Sequence, residues 1–131
     1  MRTDTLTDHL VRSVMTGKVL GIVPDAPLEV ALRTMVESGV RHLPVVRDGH
    51  YLGLVHETDL LWRLWSTNRQ TLTVGAIAAS SRYPCVESMA TLAAAAARMV
   101  ECGVDAAVVV ENGALVGILT VTDLLAAVAS A

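Results

Sequence analysis

Apolar residues recur along the first half of the chain with helical spacing and then in short continuous runs. Leu28, Leu32 and Met35 lie three or four positions apart, which predicts one face of a helix that ends at Gly39. The sequence Asp25-Ala-Pro just before it is a common helix start, because proline is tolerated in the first turn.

Two short apolar runs, His42–Val46 and Tyr51–Val55, flank the dipeptide Asp48-Gly49. Because Asp-Gly adopts positive φ at low cost, this arrangement predicts a β-hairpin. Around it we predict a lead-in helix at Leu6–Met15, a short extended segment at Lys18–Val23 and a closing helix at Glu57–Trp65.

The second half of the chain repeats this order at a constant offset of 64 positions. The matches include three glycine pairs and one tetrapeptide pair: Gly39/Gly103, Gly49/Gly113, Gly53/Gly117 and Thr58–Leu61/Thr122–Leu125. The sequence of the second copy therefore predicts a strand at Pro84–Val86 and a helix at Thr91–Cys102. A hairpin of Ala106–Val110 and Leu115–Leu119 and a closing helix at Val121–Val128 follow. Polar residues present in both copies become candidate ligand contacts.

Each copy is small for a stable core of its own, so we expect the two to fold together as a pseudo-twofold pair. The predicted fold class is α/β (α+β), with two tandem β-α-β-β-α repeats. Four parts are predicted: a lead-in helix (1–16), repeat one (17–67), a linker with a short helix (68–80) and repeat two (81–131).

Composition narrows the classes of partner. Hydrophobic residues make up 53% of the chain and charged residues 18%, which argues against disorder. The net charge is −3 and no basic block occurs, so we expect no nucleic-acid partner. No apolar stretch approaches the ~20 residues of a membrane span, and the N-terminus lacks the apolar core of a signal peptide. Cys85 and Cys102 form no C-x-x-C motif, so a reduced, cytoplasmic setting is the simplest expectation.

The ordered motifs of the two copies carry a family resemblance. Copy one contains P-x-x-P-L-x-x-A-L-x-x-M at Pro24–Met35, V-R-H-L-P-V-V at Val40–Val46 and G-L-V-H-E-T-D at Gly53–Asp59. Copy two contains G-V-D-A-A-V-V-V at Gly103–Val110 and G-I-L-T-V-T-D at Gly117–Asp123. Residues 10 to 129 resemble a stand-alone tandem pair of cystathionine-β-synthase (CBS) domains.

The resemblance implies a Bateman-type module, with two clefts between the repeats that often bind AMP, ADP, ATP or S-adenosylmethionine. It also implies a homodimer, a regulatory rather than catalytic role, no required cofactor, and a signal passed to an effector protein that the sequence does not name.

In this family the pattern G-x-x-[ST]-x-[ST]-D holds a nucleotide. Copy two has the whole pattern: Gly117, Thr120, Thr122 and Asp123. Copy one has Gly53, Thr58 and Asp59, but His56 replaces the first hydroxyl. Hydroxyl groups and free N–H groups at a helix start can bind phosphate or ribose oxygens, and Asp can accept from ribose hydroxyls. Helix capping by Thr58-Asp59 and Thr122-Asp123 is the alternative.

The remaining site residues are expected in the short first strand of each copy and at the start of its second strand. In copy one they are Lys18, Leu20, Arg41, His42 and Pro44, and in copy two Arg82, Tyr83, Pro84 and Ala106. Apolar members would hold an adenine ring and Arg41 or His42 a phosphate, although a solvated Arg41 and a partly buried His42 are the plainer interpretation. Asp105 stands opposite Arg41 in the alignment, so the two sites differ in charge.

Two features of copy one have no counterpart in copy two. His56 and Asp59 form H-x-x-D, which is weak evidence for a metal, and we expect no metal site. Trp62 and Trp65 stand where copy two has Ala126 and Ala129, so they either pack in the core or form a dimer interface.

The sequence and its resemblance favour a regulatory module that senses an adenosine-containing ligand. The alternative is a structural or dimerisation module with empty clefts. An enzyme is not expected, because the sequence shows no nucleophile–base pair, Walker loop or G-x-G-x-x-G motif.

Overall fold

The computed structural model describes residues 5–17, 19–66 and 72–130. Within them the helices are α1 Thr5–Asp8, α2 Leu28–Ser38, α3 Glu57–Ser66, α4 Val74–Ala78, α5 Leu92–Cys102 and α6 Val121–Ala129, with a 3-10 turn at Val11–Ser13. The strands are β1 His42–Arg47, β2 His50–His56, β3 Cys85–Glu87, β4 Ala106–Glu111 and β5 Ala114–Thr120. The helices and two small sheets confirm the mixed α/β class.

The predicted lead-in helix Leu6–Met15 is wrong. Helix α1 is only four residues long, and Leu10 is extended, with φ −94° and ψ 152°. Leu10 and Thr16 instead form isolated bridges to Thr91 and Ile118. The segment therefore uses its backbone groups to bond to the second repeat.

The chain divides into two compact units that do not follow the repeat boundaries. The flanking unit joins Met1–Val19 to Arg82–Ala131, and the central unit is Leu20–Ser81. In the flanking unit, Thr16 and Ile118 exchange two backbone hydrogen bonds of 3.0 and 3.1 Å. Each unit thus consists of one repeat and the segment that precedes the other repeat in the sequence.

The central unit has the corresponding arrangement around α4. Gly75 N donates to Pro24 O at 2.9 Å, and Val74 N donates to Ala26 O at 3.1 Å. The segment 72–80 therefore packs on repeat one as residues 10–16 pack on repeat two.

The two sheets differ by one strand. In the flanking unit, β3 pairs parallel with β4, which pairs antiparallel with β5, whereas the described residues of the central unit form only β1 and β2. Of the predicted extended segment Lys18–Val23, Lys18 is not described, and residues 19–23 form a single bridge, between Ile22 and Val45.

Two prolines account for the missing strand. In the flanking unit, Val108 N donates to Pro84 O and Ser88 N donates to Val110 O. The matching positions in repeat one are Pro44 and Pro24, which have no N–H. Two of the hydrogen bonds that hold β3 therefore have no equivalent beside β1.

Both hairpins turn as predicted, and both contain a β-bulge. Asp48 and Gly49 have φ of 51° and 79°, and Asn112 and Gly113 have 52° and 80°, so both turn residues lie in the positive-φ region. The register shifts between Val45 and Val46, and at the matching place in β4. The bulge moves every later pairing by one residue.

Matched residues of the repeats form the core of each unit. The first positions in each pair belong to the central unit and the second to the flanking unit: Leu28/Leu92, Ala31/Ala95, Met35/Met99, Leu43/Ala107, Val45/Val109 and Val55/Leu119. Gly39 and Gly103 end α2 and α5 in the left-handed conformation, with φ of 68° and 65°. Among the described residues, every helix is too short or too polar to cross a membrane.

Candidate ligand-binding site

The predicted contacts of copy two meet at one end of the three-stranded sheet. Ala106, at the start of β4, lies opposite Thr120, at the end of β5. Strand β3 runs parallel to β4, and Pro84 O accepts from Val108 N at 2.9 Å, so Arg82–Pro84 also lie at this end. Pro84 and Ala106 are buried, Tyr83 is half-buried and Arg82 is exposed. Helix α6 begins at the same place.

A capping box closes the N-terminus of α6. Thr120 Oγ1 accepts from Asp123 N at 3.3 Å, and Asp123 Oδ2 accepts from Thr120 N at 2.9 Å. Val121 N donates to Asp105 O at 3.0 Å. These bonds use the first N–H groups of the helix except that of the exposed Thr122.

The capping box leaves hydrogen-bond acceptors and donors at this helix end that a ligand can use. A carboxylate has two oxygens with about four lone-pair sites, and the cap uses one of them in Asp123. The Thr122 N–H and hydroxyl remain as donors at the positive end of the helix dipole. Capping is therefore observed, and it does not compete with acceptance of ribose hydroxyls by Asp123.

Copy one caps its closing helix differently. His56 Nδ1 accepts from Thr58 N at 3.1 Å, and Glu57 N donates to Arg41 O at 3.0 Å. The imidazole thus reaches the second N–H of α3, whereas the Thr120 hydroxyl reaches the third N–H of α6. Consequently the N–H left over in copy one is that of Asp59, whose side chain is exposed.

The register of the hairpin places His42 beside His56. The two residues are direct cross-strand partners, and their ring centroids lie 4.7 Å apart in an edge-to-face arrangement. Both histidines were candidates from the sequence, but their contact was not predicted. The contact depends on the β-bulge next to Gly53, because an unbulged hairpin with this turn would place His42 opposite Val55.

The cationic candidates of copy one lie at its surface or outside the described residues. The Arg41 side chain is 78% exposed, and its Nε lies 3.7 Å from Glu57 Oε1, so this ion pair contributes little to stability. Lys18 lies outside the described residues. Leu20 is half-exposed and Pro44 is buried.

The two cysteines are free thiols in the structure. Cys85 is exposed at residue level, yet partial desolvation of its sulfur raises the pKa of the thiol. The positive charge of Arg98 opposes this rise and the negative charge of Glu87 adds to it. A raised pKa lowers the thiolate fraction, which makes Cys85 a poor candidate for a nucleophile.

The two tryptophans do not pack in the core. Trp62 is 67% exposed and Trp65 is 87% exposed, so the alternative of core packing is wrong. Leu60 and Leu64, on the opposite side of α3, pack into the core of the central unit instead.

The repeated fold and the matching helix starts agree with a comparison to known families. The family model of the CBS domain matches twice, over residues 11–66 and 74–130. The chain belongs to the CBS-domain family. It is a tandem CBS protein over the matched residues, and this confirms the resemblance seen in the sequence.

Relatives among curated proteins are larger. The chain is 34% identical over 122 residues to the uncharacterized protein MJ1404 of Methanocaldococcus jannaschii, which covers 88% of this chain and 27% of that protein. It is 42% identical over 52 residues to MJ1426 of the same organism, covering 39% of this chain and 31% of that protein. The chain therefore spans less than a third of the length of either relative.

Solved structures share the CBS fold. A conserved protein from Pyrococcus horikoshii superposes with a TM-score of 0.81 at 27% identity, covering 91% of each chain. The CBS domain pair of MJ0100, solved with 5′-methylthioadenosine and S-adenosyl-L-methionine, superposes with a TM-score of 0.81 at 17% identity, covering 93% of this chain and 97% of that chain.

Proposed function

We propose that this CBS protein is a regulatory module that binds an adenosine-containing ligand, such as AMP, ADP, ATP or S-adenosylmethionine. The site in copy two is the sheet end where Tyr83, Pro84 and Ala106 meet Thr120. The observation that carries the proposal is the start of α6, where Asp123 keeps acceptor capacity and Thr122 keeps donors.

Each part of such a ligand matches a chemical group of copy two. The remaining lone pairs of Asp123 accept from ribose hydroxyls, as an acidic residue does in other ribose sites. The Thr122 N–H and hydroxyl, with Thr120, donate to ribose or phosphate oxygens at the helix N-terminus. The half-buried Tyr83 contributes apolar surface for the base, with the buried Pro84 and Ala106 at the same sheet end, and Arg82 supplies a cation near the phosphates.

Copy one offers a related but unequal site. Pro44 lacks the N–H that would bond to the Leu20 carbonyl, so this carbonyl is proposed to accept from the amino group of adenine. Thr58 and Asp59 take the places of Thr122 and Asp123, and His42, His56 and Arg41 supply the basic groups. Lys18 remains a proposed contact by its alignment with Arg82.

Support from outside the chain comes from the family. The MJ0100 pair was solved with two adenosine derivatives, which makes this ligand class a reasonable choice for the present chain. We assign no reaction to the protein, because regulation through ligand occupancy needs only binding. The effector that receives the signal is proposed to be a partner protein.

Thermal unfolding in the presence of candidate ligands tests the proposal. AMP, ADP, ATP and S-adenosylmethionine are each added in excess, and at least one is expected to raise Tm, since a ligand that binds only the folded state stabilises it. Asp123→Ala should lose most of the rise because it removes the ribose acceptor.

A matched control separates binding from helix capping, because Asp123→Ala also breaks the capping box. Thr91 Oγ1 caps α5 by accepting from Ala94 N at 3.1 Å, away from the proposed contacts. Thr91→Ala should lower the Tm of the ligand-free protein by a similar amount, since each cap contributes about 1 kcal/mol. It should keep the ligand-induced rise. No rise with any ligand would favour the alternative, a structural or dimerisation module.

A homodimer is part of the proposed function. Trp62 and Trp65 on α3 form exposed apolar surface that a second copy would cover. On α6, Leu125 is 65% exposed and is a separate candidate contact. The compartment is proposed to be the cytoplasm, which agrees with two free thiols.

A further inference from the structure

Two imidazole rings are in edge-to-face contact at the start of α3. Repeat two has no histidine at the matching positions. His42 and His56 are cross-strand partners with ring centroids 4.7 Å apart. The matching positions in repeat two are Ala106 and Thr120, which are also cross-strand partners. The bulge brings both pairs into the same register, so the difference between the repeats lies in the side chains alone.

We propose that His42 and His56 form a chelating site for a divalent transition-metal ion, with Zn²⁺ as the representative. Neutral imidazole nitrogen is a common zinc ligand, and two nitrogens on one tetrahedral zinc ion lie about 3.4 Å apart. One ring nitrogen of His42 lies within 4.8 Å of one ring nitrogen of His56. A rotation of the rings toward each other brings both lone pairs onto one ion.

The site is chemically coupled to the cap of α3. His56 Nδ1 accepts from Thr58 N, so the neutral ring carries its proton on Nε2. A neutral imidazole has one nitrogen lone pair, which caps the helix or binds the metal but cannot do both. Metal binding at either nitrogen therefore releases the Thr58 N–H and removes the cap of α3.

This coupling gives the metal a structural consequence. When zinc binds, the first turn of α3 loses its cap and loosens. The exposed Trp62 and Trp65 lie further along the same helix. Repeat two has no equivalent response, because the capping box of Thr120 and Asp123 contains no imidazole.

A zinc titration of the nucleotide-free protein tests the inference, so its outcome does not depend on the proposed function. Calorimetry with zinc chloride should give one ion per chain for the wild-type protein. His42→Ala and His56→Thr each put the residue of repeat two at the matching position of repeat one. Each variant should weaken zinc binding at least tenfold.

Both variants are designed to fold. His56→Thr creates Thr-x-x-Asp at the start of α3, the same sequence that forms the capping box of α6. Thermal unfolding without zinc checks that each variant is folded. His50→Ala removes an exposed histidine at the start of β2 and should bind zinc as the wild-type protein does.

The amide resonance of Thr58 reports the cap directly. Zinc should shift it in the wild-type protein and leave it unchanged in His56→Thr. The inference is overturned if the wild-type protein takes up no zinc in the millimolar range, or if both variants bind as tightly as the wild-type protein. A Thr58 resonance that stays fixed while zinc binds would overturn the coupling.

Discussion

Gly53 and Gly117 occupy matching positions but are required for different physical reasons. Gly53 has φ of +151°, and an added Cβ would collide with the carbonyl oxygen of Ala78 at the end of α4. Gly117 has no positive φ, and an added Cβ would lie 2.5 Å from Met15 Sδ and 2.9 Å from Thr16 O. In both repeats the glycine lets a segment from outside the repeat approach the hairpin closely.

These differences predict an order of stability for three alanine variants. Gly53→Ala should lower the free energy of unfolding by about 2–3 kcal/mol, because it combines backbone strain with a collision against main chain. Gly117→Ala should cost less, since part of its collision is with a flexible methionine. Gly17→Ala has nothing within 4 Å of the new Cβ and serves as the control. Chemical denaturation measures all three, and equal losses at positions 53 and 117 would refute the assignment.

At the scale of elements, the sequence predicted most of what the structure shows. Helices α2, α3, α5 and α6 and both hairpins follow from apolar spacing and from the Asp-Gly and Asn-Gly turns, with predicted ends shifted by no more than one residue. The lead-in helix failed, because the bonds of residues 10–16 to repeat two are long-range and leave no mark on local spacing.

The candidate site was predictable to a similar degree. The sequence indicated Thr122 and Asp123 for either capping or ligand contact, and the observed cap of α6 uses Asp123 with Thr120 instead of Thr122. The contact between His42 and His56 was not predicted, because it depends on one extra residue in β2. The unequal sheets were not predicted either, although both prolines that cause the difference are visible in the sequence.

Restoring one N–H tests the account of the missing strand. Pro44→Val introduces the residue found at the matching position 108, and its N–H should donate to Leu20 O as Val108 N donates to Pro84 O. The new amide should exchange with solvent slowly, as in a paired strand. If it exchanges as fast as a loop amide, Pro44 is not what limits pairing. Under the proposed function this variant also weakens ligand binding to copy one.

At the scale of the whole molecule, apolar surface is concentrated on the closing helix of each repeat. Helix α6 contains no fully buried residue, and Leu125 and Val128 are exposed on it. Helix α3 exposes Trp62 and Trp65. Large exposed aromatics are more typical of a protein interface than of a solvated helix face, which supports the proposed homodimer.

Removing the tryptophans should therefore dissociate the dimer. The double variant Trp62→Ala/Trp65→Ala is expected to sediment as a monomer at concentrations where the wild-type chain has twice its mass. Val36 on α2 is 81% exposed, so Val36→Ala is a control for loss of exposed apolar surface elsewhere, and it should remain a dimer. A double variant that dimerises like the wild-type protein would exclude α3 from the interface.

We propose above that the CBS pair holds an adenosine-containing ligand at the start of α6. Native mass spectrometry of the purified protein, with and without added AMP, ADP, ATP and S-adenosylmethionine, detects such a ligand without a label. We expect a bound mass equal to one of these ligands, retained by Thr91→Ala and lost from Asp123→Ala. Spectra that show only the bare chain under every condition, or a ligand that Asp123→Ala binds as well as the wild-type protein, would contradict it.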